Sequence, residues 1–137
     1  MRKLSRIATV VGAGAAIALG NVSSAQAAST WYAYAHTSSA AYGTFTDDGD
    51  EFRACDTKAD GLGVWLKVTA TWYAGPNDVP YTGSFERYFT PGNGNCTEYH
   101  HGNLVEDRTV KLTVCLGNTV NGHTSRFDCG PTVTATS

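Results

Sequence analysis

Alternation of apolar and polar side chains is the dominant pattern of this chain. In the run from Gly63 to Tyr73, one set of alternate positions is apolar: Val64, Leu66, Val68, Ala70 and Trp72. A second run, from Arg108 to Gly117, repeats the pattern with Val110, Leu112, Val114 and Leu116. Successive side chains of a strand leave opposite faces. Both runs therefore predict β-strands, and in the second run the apolar set is predicted to point inward.

Shorter alternating segments complete the set of predicted strands. Glu51–Tyr73 is predicted to be one β-hairpin, in which a strand with Cys55 and the long strand flank a turn at Lys58–Gly61. Further short strands are predicted at Ser84–Thr90, Cys96–His100 and Ser125–Cys129, and loops at Ala74–Gly83 and Pro91–Asn95. The threonine-rich end, Thr132–Ser137, either forms a last strand or frays. No useful length of sequence after residue 27 has helical periodicity. Six to eight short strands separated by Gly, Pro, Asn and Asp predict an all-β fold, a small antiparallel β-sandwich.

The first residues predict export. Arg2, Lys3 and Arg6 precede a weakly apolar run, Ile7–Gly20, and small residues follow. This pattern is typical of a secretory signal peptide over residues 1–27. The exported chain then carries seven Lys and Arg against twelve Asp and Glu, a formal net charge of −5. Nucleic acids and anionic membranes attract basic surfaces, so neither is an expected partner, and the protein is predicted to be extracellular.

Residues 28–45 are open to two interpretations. They precede a single predicted domain, residues 46–137. They contain no acidic or strongly basic side chain and are rich in aromatic residues. They could form a first strand, with Trp31 and Ala33 on one face and Tyr32 and Tyr34 on the other. They could instead be a mobile N-terminal arm, since termini are poorly ordered unless tied down. Exposed aromatic side chains on such an arm would be natural anchors for a protein partner.

Four cysteines in an exported chain predict two disulfide bonds. The segment between Cys115 and Cys129 reads as a hairpin, and a three-residue loop centred on Gly122 would place the two cysteines directly opposite each other. Cys55 then pairs with Cys96. A cysteine-based zinc site is disfavoured, because the sequence contains no C-x-x-C pair.

The sequence contains only partial matches to catalytic or metal-binding motifs. Asp56–Gly61 has oxygen ligands at the first and fifth positions of a calcium loop and glycine at the sixth. Lys58, however, occupies the third ligand position and Lys67 the position of the bidentate glutamate, and a plain turn explains the segment as well. His100 is predicted on the same side of a strand as Glu98, which would suit a metal or acid/base site only if His123 or Asp107 came near. No serine-hydrolase motif is present. We therefore expect a binding protein, without cofactor or metal, rather than an enzyme.

The D-x-x-A-D-G turn at Asp56–Gly61 and the cysteine spacing resemble small secreted two-disulfide β-proteins of filamentous actinobacteria, over Gly49–Cys129. An aromatic segment before a compact two-disulfide domain is also similar in layout to the bridging subunit of umbrella toxin particles. In that family the arm inserts into a lectin-like subunit and the body holds the toxin spoke. The second resemblance implies secreted protein partners, a toxin complex, and partner-binding arm residues Trp31, Tyr32, Tyr34 and Tyr42.

Two other functions remain open at this stage. A secreted inhibitor of an extracellular protease or glycosidase would present a rigid loop, for which Gly75–Pro80 or Pro91–Cys96 are candidates. The Trp-Arg-Tyr triplet that bacterial α-amylase inhibitors carry in an exposed turn is absent from this sequence. A surface or carbohydrate-binding module would use Trp65, Tyr73 or Tyr88 as a stacking platform. The sequence itself contains no positive indication of a small-molecule ligand.

Overall fold

The computed structural model describes residues 27–36 and 40–137. Residues 1–26 of the predicted signal peptide lie outside the described residues. Within the described residues the chain forms nine strands and no helix. The strands are β1 (Thr30–Tyr34), β2 (Ala41–Thr46), β3 (Glu51–Asp56), β4 (Gly63–Ala74), β5 (Val79–Phe89), β6 (Asn95–His100), β7 (Thr109–Val120), β8 (His123–Phe127) and β9 (Val133–Thr136). The all-β prediction is confirmed.

The strands build two antiparallel sheets that pack face to face. The first sheet has the order β1-β2-β3-β6, and the second has the order β5-β4-β7-β8, with β9 also paired to β7. Fully buried side chains fill the space between the sheets, the largest being Phe45, Phe52, Leu66, Leu104 and Leu112. Two-layer packing of this kind lets each sheet bury its apolar face. The predicted small β-sandwich is therefore the observed architecture.

The alternation along β7 has the predicted faces. Val110, Leu112 and Val114 of β7 are at most 1% exposed, while Thr109 and Lys111, which belong to the alternate set, are exposed. On β4 the set from Val64 to Ala70 is also buried. Side chains of the intervening set, from Trp65 to Tyr73, point away from the core onto the outer face of the second sheet.

The predicted hairpin over Glu51–Tyr73 is wrong. β3 pairs with β2 and β6 in the first sheet, whereas β4 pairs with β5 and β7 in the second. Residues 57–62 are thus a connection between layers. Phe52 of β3 and Leu66 of β4 are both buried in the core that separates the two sheets. Two consecutive strands bury their apolar faces in the same core whether they are neighbours in one sheet or lie in the two opposite sheets. The alternation along the sequence therefore does not distinguish these two arrangements.

Residues 28–45 contain two strands, β1 and part of β2, and this is why the count exceeds the predicted six to eight. On β1, Ala33 is 1% exposed and Tyr32 and Tyr34 are 51% and 48% exposed, which is the alternation expected of the first-strand interpretation. β2 lies between β1 and β3 and contributes the buried Phe45. This segment is an integral part of the first sheet.

The predicted loop Ala74–Gly83 is largely a strand. β4 continues to Ala74, a turn at Gly75–Asp78 follows, and β5 begins at Val79. Pro80 lies within β5, opposite Tyr73. Because β5 is an edge strand, the N–H that proline lacks is not needed for a second neighbour. Pro80, a residue typical of loops, is thus accommodated in the sheet.

Both predicted disulfides are present: Cys55 pairs with Cys96 and Cys115 with Cys129. The loop expected at Gly122 differs. Asn121 and Gly122 alone form the turn, both at positive φ, and Leu116 pairs with Phe127. This asparagine–glycine turn matches the twist of the strands. The register leaves Cys129 beyond the end of β8, so the predicted pairing is confirmed although the predicted opposition is wrong.

Candidate functional site

The strongest candidate site is a group of three tyrosines on the outer face of the first sheet, hereafter the tyrosine patch: Tyr32, Tyr34 and Tyr42. Tyr34 is directly opposite Tyr42 in the β1–β2 pairing, and their ring centroids are 5.8 Å apart. Tyr32, two residues back on β1, has its ring centroid 6.2 Å from that of Tyr42. The rings therefore form one contiguous aromatic surface, since such pairs attract at these separations.

A disulfide and an ion-pair network border the tyrosine patch. Tyr42 is opposite Cys55, which is opposite Cys96 on β6, and the Tyr42 hydroxyl lies 3.9 Å from Cys96 Sγ. One row along the sheet, Arg53 Nη2 donates to Glu98 Oε1 at 2.7 Å, and Arg53 Nε donates to Glu51. The hydrogen bond to Glu51 raises the pKa of the Arg53 guanidinium. An aromatic centre beside an exposed, charged rim is thereby assembled on one sheet face.

Trp31, the fourth residue predicted to bind a partner, lies on the opposite side of β1. It is half-buried, and its ring stacks on that of Phe45 with centroids 5.7 Å apart. It also borders an open crevice with Asp47, Asp48 and Glu106. The structure thus brings three of the four predicted residues together and places Trp31 against the core.

Arg53 and Glu98 are site residues that the sequence analysis did not single out. Glu98 was considered only in connection with His100. In the structure it is opposite Arg53 on neighbouring strands. Alternation within β3 does place Arg53 on the same face as Cys55, but its neighbours follow from the pairing of β3 with β2 and β6. Strand pairing therefore decides that Arg53 meets Glu98, and the sequence alone does not specify it.

The segment that resembles a calcium loop is held by its own carboxylates. Asp56 accepts a hydrogen bond from the Lys58 N–H at 2.9 Å, and Asp60 accepts one from the Leu62 N–H at 3.0 Å. Gly61 has a φ of +75°. These are the bonds of ordinary Asx turns. Within residues 27–36 and 40–137, no group of three or more His, Cys, Asp or Glu side chains is arranged to hold a metal ion.

The two neighbouring histidines are in different environments. His100 is exposed on the outer face, with Nδ1 3.3 Å from the Gly49 carbonyl oxygen. His101 lies beyond the end of β6, where its ring stacks on Phe85 at 3.8 Å and meets Trp72 edge-on at 4.5 Å. His123 begins β8 in the other sheet. Glu98 and His100 do share one face as predicted, but His101 belongs to an aromatic cluster.

The environment of His101 predicts a pH dependence of stability. Burial, with a further contribution from the charge of Arg87, lowers the pKa of His101 below its ordinary value of 6.5. The unfolded chain therefore binds the extra proton first, and the free energy of unfolding should fall as the pH is lowered through 6.5. We expect His101→Phe, which keeps an aromatic ring, to reduce this slope in urea unfolding at a series of pH values.

The matched control is His123→Phe, because His123 is exposed. That variant should keep the pH slope of the parent protein. An unchanged slope in His101→Phe would contradict the assignment and would mean that other groups, such as the carboxylates, dominate acid destabilisation.

Comparisons with protein-family models, with curated proteins and with solved structures found no match to this chain. A helix capable of crossing a membrane is not found in the part of the chain that the structure describes. The two disulfides are compatible with an oxidising, extracellular compartment. The chemistry of the surface is therefore the remaining guide to function.

Proposed function

We propose that this protein is a secreted, non-enzymatic protein–protein interaction module whose main contact surface is the tyrosine patch. We further propose that it acts as a bridging subunit of an extracellular toxin complex, with the aromatic segment contributing β1 and part of β2 rather than the separate arm of that family. The observation that carries the proposal is the exposure of Tyr32 and Tyr34, 51% and 48%, beside Tyr42 on one sheet face.

The composition of the patch supports this function. Tyrosine and arginine are enriched where protein interfaces concentrate their binding energy, because they bring a large contact area with few rotatable bonds or a directional charge. Here the tyrosine rings occupy the centre, and Arg53 with its two glutamate partners lies beside them. An apolar centre with a polar rim is the usual anatomy of a specific interface.

The support beneath the patch also suits binding. Tyr32 and Tyr34 are on a paired strand, and the Cys55–Cys96 disulfide lies in the row of residues that contains Tyr34 and Tyr42. A surface that is already ordered loses little conformational entropy on binding. β1 is also an edge strand of the first sheet, so a partner strand could extend the sheet beside the tyrosines. The partner would thus dock on a sheet face and edge rather than receive an arm.

The test compares tagged exported protein with a Tyr32→Ser/Tyr34→Ser variant in the native secretome. We expect the parent to be isolated in a stoichiometric complex and the variant to lose one partner, with Kd raised by at least about tenfold once that partner is purified. Both positions are exposed, so the variant should fold normally. Truncating residues 28–44 is unsuitable, because it would delete β1 and most of β2 and expose the core.

Tyr81→Ser is the matched control, since Tyr81 is 56% exposed but belongs to the second sheet. It should leave the complex unchanged. An intact complex with the Tyr32→Ser/Tyr34→Ser variant would disprove the role of the patch, and recovery of the parent as a free monomer would disprove the bridging role.

The alternative, a secreted inhibitor of an extracellular hydrolase, is favoured by a different feature. The β4–β5 hairpin ends in the turn Gly75–Asp78, and the exposed Val79 and Tyr81 lie next to it. A rigid hairpin tip with apolar side chains could enter the cleft of an enzyme. In that case the Tyr81→Ser variant would lose the partner and the Tyr32→Ser/Tyr34→Ser variant would keep it, so the same pair of variants separates the two functions.

A further inference from the structure

The outer face of the second sheet carries a concentration of positive charge that the proposed function does not use. Two shallow grooves of ≈ 340 and ≈ 360 Å³ lie on this face. Their linings include four of the seven Lys and Arg of the described residues, and none of the twelve Asp and Glu. The four cations are Lys67, Arg108, Lys111 and Arg126. On a chain with a net negative charge, this distribution marks a local site for an anionic partner.

The two grooves form one continuous surface. Both are lined by Thr69 and Lys111, which are directly opposite each other in the β4–β7 pairing. Lys67 is opposite Thr113 one row away, which places it diagonally across from Lys111. Arg108 borders the far end of the second groove. A ligand that follows the surface would thus meet several cations in succession.

Two of these cations have no partner among the described residues. Glu86 accepts a hydrogen bond from Arg126 and lies 4.0 Å from Lys67 Nζ. The bond from Arg126 is the main cause that lowers the pKa of Glu86. Among the described residues, the side chains of Lys111 and Arg108 make neither a hydrogen bond nor an ion pair. Both are therefore available to an external carboxylate without breaking an internal bond.

Hydroxyl groups fill the space around the cations. Thr71 and Thr82 are joined by a hydrogen bond of 2.7 Å, as are Thr113 and Thr132. One hydroxyl of each pair donates to the other, so the second keeps its own proton for an outside acceptor. The Thr109 hydroxyl has no hydrogen bond to the described protein. The surface thus offers both donors and acceptors at short intervals along the cations.

We propose that this face binds an acidic polysaccharide, a sugar chain that bears carboxylates. The carboxylates would pair with Lys111 and Arg108, and the sugar hydroxyls would bond to the threonine hydroxyls, which match them in donating and accepting. An open surface made of two joined grooves suits a chain better than a small anion. An acidic peptide would leave most of the threonine hydroxyls unmatched, whereas each unit of a sugar chain carries hydroxyls of its own.

This surface and the tyrosine patch lie on opposite outer faces of the sandwich. Both could therefore be occupied together, and a protein that binds a partner through one sheet could be held on an acidic matrix through the other. Neither proposal depends on the other, because the experiments use different residues and different ligands.

The test measures the binding of the disulfide-bonded, exported protein to immobilised polygalacturonate. The fully methyl-esterified polymer has the same backbone without charge, and polyglutamate has the charge without sugar hydroxyls. We expect the tightest binding to polygalacturonate. An Arg108→Gln/Lys111→Gln variant should raise Kd by about tenfold, the loss expected from two exposed charge-assisted hydrogen bonds.

Lys58→Gln is the matched control for charge, because Lys58 is exposed in the β3–β4 connection and belongs to neither groove. At an ionic strength of about 0.15 M it should change Kd by less than about threefold, since the Debye length there is about 8 Å and distant charges are screened. Thr109→Val, which removes a hydroxyl at nearly constant volume, should raise Kd for polygalacturonate by about threefold and leave binding to polyglutamate unchanged.

Three results would overturn the proposal. Absence of binding to polygalacturonate at low ionic strength would exclude the ligand. Equal or tighter binding to polyglutamate would make the partner an acidic protein. An equal loss in Lys58→Gln and in the groove variant would mean that only overall charge is sensed, without a site on this face.

Discussion

Replacing Phe45 by alanine is expected to lower the free energy of unfolding by about 3–5 kcal/mol. Phe45 is 0% exposed, and its ring packs between Trp31, at 5.7 Å, and Phe52, at 4.9 Å between centroids. Truncation removes the buried apolar surface and leaves a cavity that these neighbours can only partly fill. For a domain of this size, whose total stability is on the order of 5–15 kcal/mol, the loss is a large fraction.

Urea unfolding followed by tryptophan fluorescence measures this loss directly, because Trp31 contacts the substituted residue. Phe127→Ala is the control. Phe127 belongs to β8 and is 41% exposed, so its truncation should cost less than about 1 kcal/mol. A comparable loss in the two variants would contradict the placement of β2 at the centre of the first sheet.

Removing the Cys55–Cys96 disulfide with a Cys55→Ala/Cys96→Ala variant is expected to cost about 4 kcal/mol. In the chain-entropy model, the cost rises with the length of the closed loop, which here has a sequence separation of 41 residues. The bond joins neighbouring strands of the first sheet at a directly opposed pair. Its main effect is therefore to limit the unfolded chain, which would otherwise regain the freedom of the whole segment from β3 to β6.

The second disulfide supplies the comparison. Cys115 and Cys129 are separated by 14 residues, and a Cys115→Ala/Cys129→Ala variant should cost about 3 kcal/mol. Both values come from urea unfolding of the two double variants under identical conditions. The reverse order would show that the length of the closed loop does not decide the loss, since Cys55 and Cys115 are equally buried. Loss of Cys55–Cys96 should also weaken partner binding, since that bond lies beside Tyr42.

The alternation along the chain was sufficient to predict which side of β7 is buried. Val110, Leu112 and Val114 are buried as predicted, because the two faces of a strand are set by its own backbone. The same local rule separated Trp31 from Tyr32 and Tyr34 on β1. Cysteine pairing was also predictable, since one segment between two cysteines contained a clear turn sequence, Asn121-Gly122.

Which strands are neighbours in a sheet could not be predicted equally well from the sequence. The hairpin predicted across residues 57–62 is instead a connection between the two sheets. Two apolar strands face the same core in either arrangement, so their alternation does not show which one is formed. Pro80 suggested a loop, but an edge strand tolerates it. Both errors arose where the outcome depended on the position of a strand within its sheet, which adjacent residues do not encode.

The candidate surfaces show the same division. That Tyr32 and Tyr34 share a face follows from the sequence, because they are two residues apart on one strand. Their meeting with Tyr42, and the approach of Arg53 to Glu98, required the pairing of four strands. Likewise, Lys111 and Thr69 are 42 residues apart and meet only through the β4–β7 register. Sequence alone therefore determined most of the strands, the buried face of β7 and the pairing of the cysteines, while tertiary structure decided which side chains meet on each outer face, since that depends on long-range strand pairing.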